Sequence, residues 1–87
     1  MTYEECIPGT KVIEIQRTYG SVPGIFTYKM FLDSNNGSPV STIHNNGGSY
    51  INLRVNGGTM SFLPEDLIPW SVNAEALYKY IAETELK

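Results

Sequence analysis

The chain has 87 residues, 41% of them apolar and 17% charged, and nine acidic residues against six basic ones give a formal charge of -3. That length suits one domain over 1–87 and leaves no room for a second; it lies near the size at which a hydrophobic core only just offsets chain entropy. The charge has the wrong sign for a protein whose affinity comes mainly from neutralising phosphates, and no run of about 18 apolar residues offers a membrane-spanning helix.

Met1-Thr2-Tyr3-Glu4-Glu5 is acidic, without the apolar stretch of a secretory signal. The single cysteine, Cys6, cannot form an intramolecular disulfide, so a reducing cytoplasm is the expected setting. Gly9-Thr10-Lys11 leads into a predicted strand, Val12 to Arg17. The loop from Thr18 to Gly24 follows, with two glycines and a proline, and it is long enough to form a binding rim.

From Phe26 to Asp33, strict alternation predicts a long strand, with Phe26, Tyr28, Met30 and Leu32 on one face and Thr27, Lys29, Phe31 and Asp33 on the other. Asn36-Gly37, Asn46-Gly47 and Asn56-Gly57 then recur at ten-residue offsets. Asn-Gly tolerates the positive φ angles of type I′ hairpin turns, so three hairpins and a four-stranded meander are expected. Within it, Pro39 to His44 has no strongly apolar face and reads as an edge strand. Ile51, Leu53 and Val55 oppose Tyr50, Asn52 and Arg54, and Met60 and Phe62 continue the apolar side.

Pro64-Glu65-Asp66-Leu67 reads as one tight helical turn, with proline at its first position and acids beside the exposed N–H groups. Ile68-Pro69-Trp70 is a short extended exit. A helix over 71–87, capped by Ser71 or Asn73, carries Val72, Ala76, Leu77, Tyr80 and Ile81 on one stripe, with Glu75, Lys79 and Glu83 outside it. The expected class is therefore mainly β: an antiparallel meander or barrel of about five strands over 9–70, followed by a C-terminal helix.

Two segments carry a resemblance. The entry Gly9-Thr10-Lys11-Val12 and the closing Phe62-Leu63-Pro64-Glu65-Asp66-Leu67-Ile68 bracket residues 9–70, and together they resemble small Src-homology-3-like barrels of the bacterial and phage accessory type. The resemblance implies a fold, which many unrelated functions share. The chain lacks the acidic, tyrosine-rich first strand and the paired tryptophans of eukaryotic proline-motif readers. In such a barrel the helix stripe covers an open end; the alternative is that it pairs with another subunit.

Catalytic sets are sparse. Cys6 and His44 could pair only if the chain terminus folded onto a hairpin turn, and His44 reads more simply as a solvated strand-end residue. A zinc site needs about four nitrogen or sulfur ligands, twice what this pair supplies. Glu4-Glu5 and Glu65-Asp66 are sequence neighbours, which rarely converge on one substrate. Gly47, Gly48, Gly57 and Gly58 are not followed by the Gly-Lys-Ser or Gly-Lys-Thr of a phosphate loop. No enzymatic activity, cofactor or metal is expected.

Two surfaces remain as candidates. One is an outward strand face with Tyr50, Asn52 and Arg54, joined by Thr27, Lys29 and Phe31 from a neighbouring strand; its bland reading is the solvated side of the sheet. The other joins Arg17, Tyr19 and Val22 of the rim loop to Trp70, which could equally be a plug between barrel and helix. The expected function is a non-enzymatic accessory protein, of phage or bacterial origin by resemblance and brevity, that binds a host protein and inhibits or adapts it. The rival is a nucleic-acid or nucleotide binder using Arg17, Lys29 and Arg54 with the tyrosines.

Overall fold

The computed structural model of the protein describes residues 1–15 and 28–85. β1 (Lys11–Glu14), β2 (Val40–Gly47), β3 (Tyr50–Val55), β4 (Gly58–Phe62) and β5 (Leu67–Pro69) form one antiparallel sheet in the order β4-β3-β2-β1-β5. β1 is flanked on both sides, with Val12 opposite Ser41 of β2 and Pro69 of β5. Pro69 sits on the edge, where a missing N–H leaves fewer ladder bonds unmade. The fold is thus mainly β, with α1 (Tyr28–Ser34) before the meander and α2 (Val72–Glu85) after it.

The expected edge strand at 39–44 is instead the middle strand of five. Its weak apolar pattern misleads because Ser41 points inward, 5% exposed beside Ile43, and its hydroxyl is satisfied by donating to the carbonyl of Arg54. A buried hydroxyl with a partner costs little; one without would cost about 1–3 kcal/mol.

The long strand expected over 26–33 is, from Tyr28 onward, the helix α1. Alternation and helical spacing both place Tyr28 and Leu32 together, and the residues that separate the two readings are Met30 and Phe31. Phe31 is fully buried and Met30 is 53% exposed, which is the i, i+3, i+4 pattern of a helix. Lys29 and Asp33 pair at 2.9 Å one turn apart on the exposed side. Asn36-Gly37, expected as a hairpin, ends this helix: both residues have positive φ (56° and 79°), and the Gly37 N–H donates to the Leu32 carbonyl at 2.5 Å.

Two hairpins remain. In the β3–β4 turn, Val55 pairs with Gly58 and both Asn56 and Gly57 have positive φ, as type I′ requires. In the β2–β3 turn, Gly47 pairs with Tyr50 and the positive φ falls on Gly48, so the loop is Gly48-Ser49, two residues beyond the expected Asn46-Gly47. The meander therefore has three strands, β2 to β4.

Val12, Ile43, Ile51, Leu53, Val55, Phe62 and Leu67 form the inner layer, and Tyr28, Phe31 and Leu32 of α1 pack upon it with Cys6. Phe31 meets Phe62 edge-on, with ring centroids 5.4 Å apart. The first turn of the chain is closed by reciprocal bonds, Thr2 N–H to Glu5 Oε1 at 2.8 Å and Glu5 N–H to Thr2 Oγ1 at 3.3 Å. Pro64–Asp66 forms the single tight turn the sequence predicts, a 3-10 turn.

Ser71 caps α2 through the Ala74 N–H at 3.1 Å. Of the expected stripe only Ile81 is half-buried: Ala76 is exposed and Val72, Leu77 and Tyr80 are 70%, 54% and 65% exposed, while Glu75, Tyr78 and Lys79 are half-buried and Ala82 packs on the core. The physical reason is an anchor at the helix start. Glu75 accepts from the Trp70 indole at 2.7 Å and from Lys79 at 2.8 Å, turning its own side of the helix inward. Among the described residues no helix is long and apolar enough to cross a membrane.

Candidate functional site

Because side chains alternate across a strand, the sheet that buries Ile51, Leu53 and Val55 must present Tyr50, Asn52 and Arg54 on its outer face. The structure brings these three expected residues together and adds neighbours from β2 and β4. Asn52 lies opposite Asn45 and Ser61; its amide donates to Asn45 Oδ1 at 2.5 Å and its carbonyl accepts from Ser61 Oγ at 2.6 Å. Gly47 leaves room for this arrangement, since a Cβ there would stand 3.0 Å from Asn52 Nδ2.

Arg54 lies opposite Thr42 and Thr59, and its Nε donates to His44 Nδ1 at 3.2 Å. A register shift between Ile43 and Asn45 places one extra residue, His44, on β2. Such a bulge re-aims side chains, and here it turns His44 toward Arg54 and lets Asn45 reach Asn52 on the same face. Thr42, His44, Asn45, Thr59 and Ser61 are the members sequence reasoning missed. Ser61 was recoverable from alternation against Phe62, whereas the bulge has no signature in the residues themselves.

The outer face of β2–β3–β4 thus carries Thr42, His44, Asn45, Tyr50, Asn52, Arg54, Thr59 and Ser61, with Tyr50 half-exposed and no acidic side chain among them. Beside the β3–β4 hairpin a cleft of about 230 Å³ is lined by His44, Arg54, Gly57, Gly58 and Thr59.

The other expected site residues lie elsewhere. Lys29 sits on α1, paired with Asp33, and Phe31 is core, so neither joins this face; both were placed there by the strand reading that the helix replaces. Trp70 follows β5, three strand spacings or about 14 Å along the sheet from β3. It is half-buried under the Lys11 ammonium, 4.1 Å from the ring centroid, and bonded to Glu75 at 2.7 Å. Trp70 thus touches Lys11 of β1 and Glu75 of α2. Arg17, Tyr19 and Val22 lie outside the described residues.

Two ionisable groups away from this face are shifted toward their neutral forms. Burial pushes the Cys6 thiol up, and its Sγ donates to the Thr2 carbonyl at 3.3 Å. Burial first, then the charges of Glu14 and Tyr78, holds the Tyr28 phenol well above the ordinary tyrosine range. Among the described residues no three His, Cys, Asp or Glu side chains gather as metal ligands. No family model, no curated protein and no solved structure matches the chain.

Proposed function

We propose that the chain is a non-enzymatic binding domain, an accessory protein that docks a target protein on the outer face of β2–β3–β4 and inhibits or adapts it. The observation that carries this is the pre-organised face itself. Asn52 and Arg54 are already held by hydrogen bonds to neighbouring side chains, so binding forfeits less side-chain entropy, and half-exposed Tyr50 offers an amphipathic anchor beside them. The strand order, with a 3-10 turn between β4 and β5, supports kinship with the small Src-homology-3-like barrels.

The test is capture from host lysate depleted of nucleic acid, repeated with Tyr50→Ala and with Leu77→Ala on the far helix. One protein should be captured by the wild type and by Leu77→Ala. Tyr50→Ala should weaken it by about 2 kcal/mol, roughly 30-fold in Kd. Capture indifferent to Tyr50 would remove the face from consideration.

Nucleic-acid binding fits less well. Lys11 rests on Trp70, Lys29 pairs with Asp33 and Lys79 with Glu75, which leaves Arg54 as an isolated cation and forms no basic track among the described residues. Oligonucleotide binding at low salt would reverse this preference. Self-association through α2 is a second reading, supported by exposed Val72, Leu77 and Tyr80. Light scattering that shows a dimer in the wild type and a monomer in Leu77→Asp would establish it.

A further inference from the structure

The cleft beside the β3–β4 hairpin has a feature the rest of the face lacks, a guanidinium held from one side only. Arg54 spends its Nε on His44 Nδ1 and makes no ion pair among the described residues, while its two terminal nitrogens remain for the cleft that it lines. Because His44 Nδ1 accepts this bond, the neutral ring carries its proton on Nε2, which makes that atom a donor as well. Thr59, opposite Arg54 in the β3–β4 register, adds a hydroxyl, and Gly57 and Gly58 line the rim without side chains. None of the five lining residues is acidic.

We infer that this cleft is an oxyanion site that takes a carboxylate presented by the protein partner, a reading that rests on the docking face proposed above. Arg54 brings a positive charge to a cleft whose lining has no acidic side chain to pair with it, so the group that would complete it is an anion. Its shape follows from the donors. The paired terminal N–H groups of one arginine match the two oxygens of a planar carboxylate in bidentate fashion. A phosphate dianion would meet a single cation on a chain of formal charge -3, a weaker match. The His44 bond restrains the guanidinium in advance, so less of its freedom is lost when the anion arrives.

The experiment is a titration of the isotopically labelled full chain with sodium acetate at low ionic strength, followed by amide NMR, with sodium chloride and inorganic phosphate as parallel arms. Wild type, Arg54→Gln, Arg54→Lys and His44→Phe are compared. Acetate should move the Gly57, Gly58 and Thr59 amides saturably with a Kd of order 1 mM, the range expected of a small anion in an open site. Arg54→Gln should weaken it at least about tenfold, and Arg54→Lys, which keeps the charge and loses the fork, by several-fold. His44→Phe should weaken it less than Arg54→Gln.

Shifts that chloride reproduces, or that survive in Arg54→Gln, overturn the site. Equal affinity in Arg54→Lys overturns the bidentate geometry, and phosphate binding more tightly than acetate overturns the carboxylate assignment. Arg54 is exposed, and retention of the remaining amide spectrum checks that each variant stays folded. The outcome separates from that of the docking face: partner capture that depends on Tyr50 without acetate binding refutes the cleft alone, and acetate binding without a captured partner refutes the docking face alone.

Discussion

Phe31 and Met30 are adjacent residues on which a strand and a helix make opposite demands. As a strand, 26–33 would bury Met30 and expose Phe31; as the helix α1 it buries Phe31 completely and leaves Met30 53% exposed. Phe31 meets the Phe62 ring at 5.4 Å and 87°, and the Tyr28 ring at 6.5 Å and 14°. Truncating such a phenylalanine to alanine costs about 3–5 kcal/mol, from lost transfer free energy and the cavity left behind. An 87-residue domain has only about 4–13 kcal/mol in total. Phe31→Ala is therefore expected to leave the chain barely folded, and Phe31→Leu, costing about 1–2 kcal/mol, is the variant to measure. Met30→Ala should cost under about 1 kcal/mol, since half the side chain is already in water. Urea unfolding with a slope of about 1 kcal/mol/M would separate the two midpoints by roughly 1 M. A Met30→Ala variant less stable than Phe31→Leu would refute the helix and restore the strand.

The carboxyl of Glu75 is held below its ordinary 4.5, first by the Lys79 hydrogen bond and then by the Trp70 indole. Its contribution is complete above that ordinary value and is lost as pH falls through the lowered folded one, so acid should loosen the start of α2 only below pH 4.5. Trp70 is the chain's one tryptophan, and its fluorescence should report this step in wild type and lose it in Glu75→Gln; a midpoint at or above 4.5 contradicts the anchor. Gly57→Ala, at a φ of +87°, should cost about 1–2 kcal/mol and lower Tm by roughly 4–8 °C per kcal/mol. Gly58→Ala has negative φ and a nearest contact of 3.6 Å, so by thermal melt it should be clearly the milder change.

Most strand faces were legible because a half-buried strand leaves period-two alternation in the residues, and β3 shows it without exception: Tyr50, Asn52 and Arg54 out, Ile51, Leu53 and Val55 in. The closing turn at Pro64 and the Ser71 cap were legible because proline and serine act locally, through a fixed φ and a short-range acceptor. Asn36-Gly37 misled for a physical reason. A type I′ turn and a helix C-terminus both call for left-handed backbone, so Asn-Gly says that the chain reverses without saying what it reverses from. Which one applies is decided by burial of Phe31 against Phe62, a contact across 31 positions that no local pattern encodes.

The candidate face divides along the same line. Its β3 members follow from alternation alone, and the sequence reading placed them correctly. His44 joins them through a bulge, and a bulge depends on how two strands register, which β2 alone does not state. The consequence is functional as well as geometric. Were β2 to alternate regularly through His44 with no bulge, Asn45 would fall on the inner side after Ile43 and His44, and the hydrogen bond that now ties Asn45 to Asn52 would be lost. The bulge therefore does two things, keeping the Asn45–Asn52–Ser61 ladder on the outer face and setting His44 against Arg54. It is the place where this otherwise regular meander departs from its own pattern, and the departure coincides with the proposed site.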